Sequence, residues 1–217
     1  MDALETQLRQ EICDIGYKVW MTGMVAANDG NISVRLPNGD VLCTPTGVSK
    51  GSLTPEKICK VDLDGNVLAA NEPYKPSSEV KVHLRLYKES EKVNAVVHAH
   101  PPYGTAFAIA GEPVISKMMP ENIIAMPEIP VAPYATPSTY ELAEMIAPFT
   151  HTHSACLMEM HGALSWGDSL LSAYQAMERL EFTCKLTFIT RQMGVDRQLP
   201  EDEITKLIGM RAQYGIC

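Results

Sequence analysis

The chain has 217 residues, 46% of them hydrophobic, which is the size of one domain with a substantial core. Its formal net charge of -8, without a basic cluster, excludes nucleic acid or an anionic membrane as the main partner. No apolar run approaches the ~20 residues that span a bilayer.

In chain order, "MDALETQLRQE" carries charges where a secretory signal needs an apolar stretch, so a cytoplasmic location is expected. Six cysteines (13, 43, 59, 156, 184 and 217) are scattered without a CxxC pair, which suits free thiols in a reducing compartment. Leu4, Leu8, Ile12, Ile15 and Val19 recur at helical spacing and predict a first helix ending near Gly23. "NISVRLPNGDVLCTP" predicts a hairpin about Asn38-Gly39, and "KVDLDGNVLAA" a second about Asp64-Gly65. "SSEVKVHLRLYKES" predicts a helix with serine capping its start. "VNAVVHAH" reads as a buried strand, and Pro101-Pro102 opens the next helix where proline costs little. "SACLMEMHGALSW" reads as another inner strand, again ending at a histidine. One long helix is expected from Gly167 to about Gly194, and a last one from about Glu201. With no repeat, linker or low-complexity segment, the expectation is one α/β domain over residues 1–217. It is a three-layer αβα sandwich on a central, mostly antiparallel mixed sheet.

Chemistry concentrates at the histidines. Side chains two apart on a strand share a face, so His98 and His100 can converge on one point at the strand's end. Two separately hydrogen-bonded histidines would have the same spacing. A third ligand must come from elsewhere, and His161 qualifies because it ends an apolar strand and precedes Gly162, which admits a close backbone approach. Neutral imidazoles of this kind suit zinc. "THTHSA" repeats the spacing at His151 and His153, but among polar residues with no apolar strand leading in, so it reads as a loop. His83 falls inside a helix and reads as structural.

Ser77, Ser78 and Glu79 stand at a helix start, where free N–H groups and the helix dipole favour an anion; a plain N-cap would look the same. "NDGNIS" (28–33) and "TPTGVSKG" (44–51) are two further loops rich in small donors, and neither is a Walker loop or a GxGxxG fingerprint. Three histidines, a carboxylate and several anion-binding loops together suit metal-assisted chemistry on a small sugar phosphate.

"GNISVR", "TPTG", "PSSE", "NAVVHAH", "VAPYAT" and "MHGAL" occur in the order and spacing of class II aldolase/adducin proteins, and the chain resembles that family over nearly its whole length, most of all the L-fuculose-1-phosphate aldolase type. The resemblance implies Zn2+ on His98, His100 and His161, with Glu79 as a ligand at rest and the acid/base in reaction. It implies phosphate on Asn31, Thr46, Gly47, Ser77 and Ser78. Tyr214 in the tail would serve the aldehyde half, and the assembly would be a homotetramer with active sites between subunits. The implied reaction cleaves L-fuculose 1-phosphate to dihydroxyacetone phosphate and L-lactaldehyde. Two positions depart from the pattern: Met119 stands where that type carries a catalytic tyrosine, and Pro137 where an aromatic is expected. Glu121 lies close by in sequence as a replacement proton donor. The same scaffold carries 5-deoxyribulose and 5-methylthioribulose 1-phosphate aldolases, pentulose-phosphate epimerases (with aspartate in place of Glu79), dehydratases and metal-free adducin-type scaffolds.

Overall fold

The computed structural model describes residues 3–115, 117–195 and 197–214. Ten strands and seven α-helices are formed among them. The strands are β1 (Asn31–Arg35), β2 (Val41–Cys43), β3 (Cys59–Val61), β4 (Val67–Ala69), β5 (Ala95–Ala99), β6 (Val114–Ile115), β7 (Glu128–Ile129), β8 (Val131–Ala132), β9 (Ala155–Met158) and β10 (Gly162–Gly167). The helices are α1 (Ala3–Met21), α2 (Val80–Glu89), α3 (Pro102–Ala110), α4 (Pro120–Ala125), α5 (Tyr140–Ile146), α6 (Leu170–Gln192) and α7 (Glu201–Gly209).

Eight strands form one sheet in the order β4-β3-β2-β1-β5-β10-β9-β8, and β6 pairs with β7 separately. Every pairing is antiparallel except β8 with β9. The middle strands are buried on both faces, and their alternation divides the core in two. Ala95, Val97 and Ala99 of β5 join Ile32 and Val34 of β1 in a cluster covered by α1, α3 and α6. Val96 of β5 and Leu164 and Trp166 of β10 face the other way, into a cluster covered by α2 and α5. Helices on both faces of a mostly antiparallel sheet make the expected three layers. Each fully buried Leu, Ile or Val contributes about 1.5–3 kcal/mol to holding them together.

Two expectations need correction. "SACLMEMHGALSW" is not one strand but two, β9 and β10, with His161 in the turn between them. The turn contains Met160 at φ 58°, a left-handed backbone that a non-glycine residue adopts at a cost. Nor does a serine cap α2. Glu79 takes the N-cap position, and no side chain caps the helix there. Ser78 instead shares a 2.8 Å hydrogen bond with Ser138.

The remaining elements follow the sequence reading closely. Both hairpins turn where Asn38-Gly39 and Asp64-Gly65 stand. Pro101 is the N-cap of α3, and Gly111 closes that helix in the left-handed conformation. His151 and His153 lie in a turn after α5, where His151 contacts Glu89. The described cysteines 13, 43, 59, 156 and 184 are buried free thiols, and Cys217 lies outside the described residues. No helix among the described residues is long and apolar enough to cross a membrane.

Candidate metal centre

The register of the sheet builds the site. Asn31 of β1 and Leu164 of β10 both stand opposite His98 on β5, so Asn31 and His98 lie side by side. His98 is inside the sheet at 3% exposure, and His100 follows just past the strand's end. His161 arrives from the β9–β10 turn, and Glu79 from the start of α2 on the same side of the sheet.

Two glycines permit this approach. A Cβ on Gly162 would lie 2.6 Å from His100 Cδ2 and 2.8 Å from the Ala99 carbonyl oxygen. One on Gly30, at φ +75°, would lie 2.7 Å from the His98 carbonyl oxygen. All three distances are shorter than van der Waals contact, so neither backbone could lie where it does with a side chain attached.

The three imidazoles converge with ring centroids 4.8–5.2 Å apart, and one nitrogen from each lies within 4.8 Å of the others. His98 Nε2 is 3.2 Å from His100 Nε2 and 3.4 Å from Glu79 Oε2; His161 Nε2 is 3.5 Å from Glu79 Oε1. Four donors at about 2.0–2.1 Å from a tetrahedral zinc ion stand about 3.3–3.4 Å from one another, so these spacings fit a divalent cation. Protonation fits it too. Burial, then the neighbouring imidazoles of His161 and His100, hold His98 well below the usual histidine range. Burial, then His100, takes His161 down to about 4. Both rings are therefore neutral near pH 7, the form that ligates. Burial raises the Glu79 carboxyl, against the lowering effect of a 2.8 Å hydrogen bond that Asn31 Nδ2 donates to its Oε2.

The outer contacts orient the rings. His98 Nδ1 donates to the Ala163 carbonyl at 2.9 Å, which leaves Nε2 bare toward the centre. His100 Nδ1 lies 3.4 Å from Asp29 Oδ2. Asp29 was missed as a site residue, although it sits in the "NDGNIS" loop. Also missed was Glu181 on α6, whose carboxylate accepts from the Tyr103 and Gly104 N–H groups at 3.1 and 2.8 Å and anchors α3 just beyond His100.

Ser77 and Ser78 immediately precede Glu79 in the chain, and their loop is tied to the one that carries Thr46 and Gly47. Pro45 and Pro76 form an isolated bridge, the Thr46 N–H reaches the Lys75 carbonyl, and the Ser77 N–H reaches the Thr44 carbonyl. These contacts bring Thr46, Gly47, Ser77 and Ser78 onto two loops fastened together. Gly47 takes φ +74°, and Thr46, Gly47 and Ser78 are exposed. Asn31 is buried at 4% exposure with its amide on Glu79. Tyr214 lies in a short turn after α7 and is 61% exposed; Glu121 is exposed in the first turn of α4. Neither makes a hydrogen bond or ion pair with the imidazoles or Glu79 within the described chain. Met119 is the half-buried N-cap of α4, and Pro137 is exposed ahead of α5.

The family model described as the class II aldolase and adducin N-terminal domain matches residues 10–188. Among characterised proteins, the chain is 35% identical to the 3-oxo-tetronate 4-phosphate decarboxylase of Escherichia coli (strain K12) over 208 residues, 94% of this chain and 96% of that protein. It is 32% identical to the 5-deoxy-D-ribulose 1-phosphate aldolase of Bacillus thuringiensis serovar kurstaki over 210 residues, 95% and 96% of the two. Among solved structures, an L-fuculose 1-phosphate aldolase superposes with a TM-score of 0.86 at 28% identity, covering 97% of each chain.

Proposed function

Since this chain belongs to the class II aldolase and adducin family, we propose that it is a metal-dependent carbon–carbon lyase. It cleaves a bond one carbon away from the carbonyl of a small phosphorylated keto substrate and releases dihydroxyacetone phosphate. The observation that carries this reading is the convergence of His98, His100 and His161 with Glu79 at the spacing of a cation's ligands. Those four residues would hold Zn2+, which their nitrogen-rich set suits. Once bound, the ion supplies a Lewis acid for the negative charge of the enediolate left when the bond breaks.

The chain's own residues do the rest. The two fastened loops with Thr46, Gly47, Ser77 and Ser78 hold the phosphate. Asn31, anchored at the β1 edge of the site, orients Glu79. With its pKa raised by burial, Glu79 delivers a proton to the carbon that has lost its partner.

Decarboxylation of a 3-oxo acid phosphate is the reading we favour. In 3-oxo-tetronate 4-phosphate the C1–C2 electron pair moves toward the C3 carbonyl, CO2 departs, and protonation of C2 gives dihydroxyacetone phosphate. Aldol cleavage of a ketose 1-phosphate leads to the same enediolate, but it also requires a base to take the C4 hydroxyl proton. Met119 and Pro137 replace the aromatics expected on that side of the pocket, so a reaction without that base fits better. The aldolase reading, on L-fuculose or 5-deoxyribulose 1-phosphate, is supported by the close superposition on an L-fuculose 1-phosphate aldolase. It would assign the hydroxyl proton to Tyr214 or Glu121. Their exposure fits delivery from a neighbouring subunit of a homotetramer. Buried free thiols support a cytoplasmic location.

The test is a substrate panel on zinc-loaded protein, with dihydroxyacetone phosphate followed by coupled reduction and with CO2 and aldehyde assayed separately. Dihydroxyacetone phosphate with CO2 from the keto acid is expected. Product from the ketose phosphates alone would restore the aldolase reading, and product from none would sink both.

A further inference from the structure

His83 lies one helical turn beyond Glu79 on α2 and has no part in the scheme above. It is buried at 1% exposure, and burial takes its pKa down to about 3, so the ring is neutral. Its Nδ1 is 2.7 Å from Ser33 Oγ, and Ser33 Oγ is 2.6 Å from Tyr87 OH. Ser33 and Asn31 are two apart on β1 and project from the same face of the strand.

Either direction of donation through this buried trio leaves one proton without an acceptor in it. If Tyr87 donates to Ser33 and Ser33 donates to His83 Nδ1, the imidazole proton sits on Nε2 and is the unmatched one. In the reverse direction the phenol proton of Tyr87 is left buried without an acceptor among the described residues. Only the first arrangement leaves its unmatched proton on a residue that lines a small cavity, His83, which shares that cavity with Asn31, Glu79, His98, His161 and four apolar side chains; Tyr87 does not line it. Three buried atoms of the residues lining this cavity have no partner among the described residues: His83 Nε2, Asn31 Oδ1 and His161 Nδ1. The first two, a donor and an acceptor, have complementary needs. The cavity has room for about one water molecule.

We propose that one ordered water fills this cavity and accepts from His83 Nε2–H and donates to Asn31 Oδ1, making His83 a positioning residue for Glu79. The Glu79 carboxylate sets which way the Asn31 amide faces, and the water gives Oδ1 the donor that this orientation leaves it needing. With Oδ1 occupied by the water, Nδ2 points at Glu79 Oε2, as observed at 2.8 Å. With the amide reversed, two oxygens would oppose each other and the Glu79 carboxylate would lose its donor. The relay therefore runs from Tyr87 through Ser33, His83, the water and Asn31 to the carboxylate. This role rests on the reading of Glu79 as the proton carrier.

Nitrogen NMR of His83 in the resting protein reads the tautomer, and a high-resolution crystal structure of the zinc-loaded protein reads the water. A proton on Nε2 and a water within hydrogen-bond distance of both His83 Nε2 and Asn31 Oδ1 are expected. An Nδ1-protonated ring or a dry cavity overturns the proposal, and both are read without turnover, so a failed substrate panel cannot be mistaken for failure here. In the active protein, His83→Leu should lower kcat by about tenfold while KM and zinc content hold, with His83→Gln recovering most of the loss. Parental kcat in His83→Leu refutes the positioning role. Should that variant not fold, the tautomer and the water in the parent decide the matter.

Discussion

Gly162→Ala tests the architecture of the proposed centre without replacing any of His98, His100, His161 or Glu79. The added Cβ would meet His100 Cδ2 at 2.6 Å and the Ala99 carbonyl at 2.8 Å. The carbonyl belongs to the central strand and cannot retreat, so the His100 ring or the β9–β10 turn must move. Overpacking of this kind costs about 1–3 kcal/mol in the metal-free protein. The more telling effect is on the cation. Displacing groups that orient metal ligands weakens affinity by about 10- to 100-fold, which removes about 1.4–2.7 kcal/mol of ligand-linked stability at fixed zinc. At about 2–4 °C per kcal/mol for a chain of this size, the rise in Tm on adding zinc should shrink by about 3–11 °C. The assay is a pair of thermal melts for parent and variant, each with EDTA and with zinc, together with zinc affinity by chelator competition. Taking the difference between the two melts cancels the packing cost. A zinc-induced rise equal to the parent's, with unchanged affinity, would refute the claim that Gly162 is there to let His100 and His161 meet.

Other outcomes are equally definite. Glu79→Gln should retain zinc on the three imidazoles yet lose about 100- to 10,000-fold in kcat, and full turnover would remove Glu79 from proton transfer. EDTA should abolish activity and zinc restore it; an enzyme indifferent to EDTA overturns the metal reading. Lys50 is buried at 1% exposure with Nζ donating to the Asn28 and Val48 carbonyls, and burial lowers its pKa to about 8. Because the unfolded chain keeps this proton to higher pH, raising the pH favours folding: the parent should gain about 2 kcal/mol on Lys50→Met between pH 7.5 and 10 in urea melts, and a constant difference would refute the assignment. Glu181→Ala removes the acceptor of two N–H groups in the first turn of α3 and should cost about 1–2 kcal/mol, seen as a lower Tm of the metal-free protein. An unchanged Tm would mean that Glu181 does not anchor that helix.

What could be read from sequence, and what could not, follows from the range of each interaction. The HxH pair was legible because a strand repeats every two residues, and the apolar run before His98 set it apart from "THTHSA", which lies in a turn as its polar surroundings imply. The β9–β10 hairpin was hidden for the opposite reason. Both strands are buried on both faces, so residues 155–166 form a nearly continuous apolar run, and the turn at Glu159-Met160 contains none of the Gly, Asn or Asp that announces one. Asp29, His83 and Glu181 could not be singled out at all. Each matters through a partner 71, 50 or 77 positions away (His100, Ser33 and Gly104 respectively), a distance over which local pattern says nothing. The same division separates the two halves of the chemistry. The imidazoles and Glu79 meet within one chain and leave a sequence signature, whereas the group that would take a hydroxyl proton depends on which side chain reaches the pocket. Met119 and Pro137 stand where the L-fuculose-1-phosphate aldolase type carries aromatics, and Tyr214 and Glu121 are exposed. On the reading proposed above, a reaction that releases CO2 needs no such group, which is why the substrate panel separates the two chemistries.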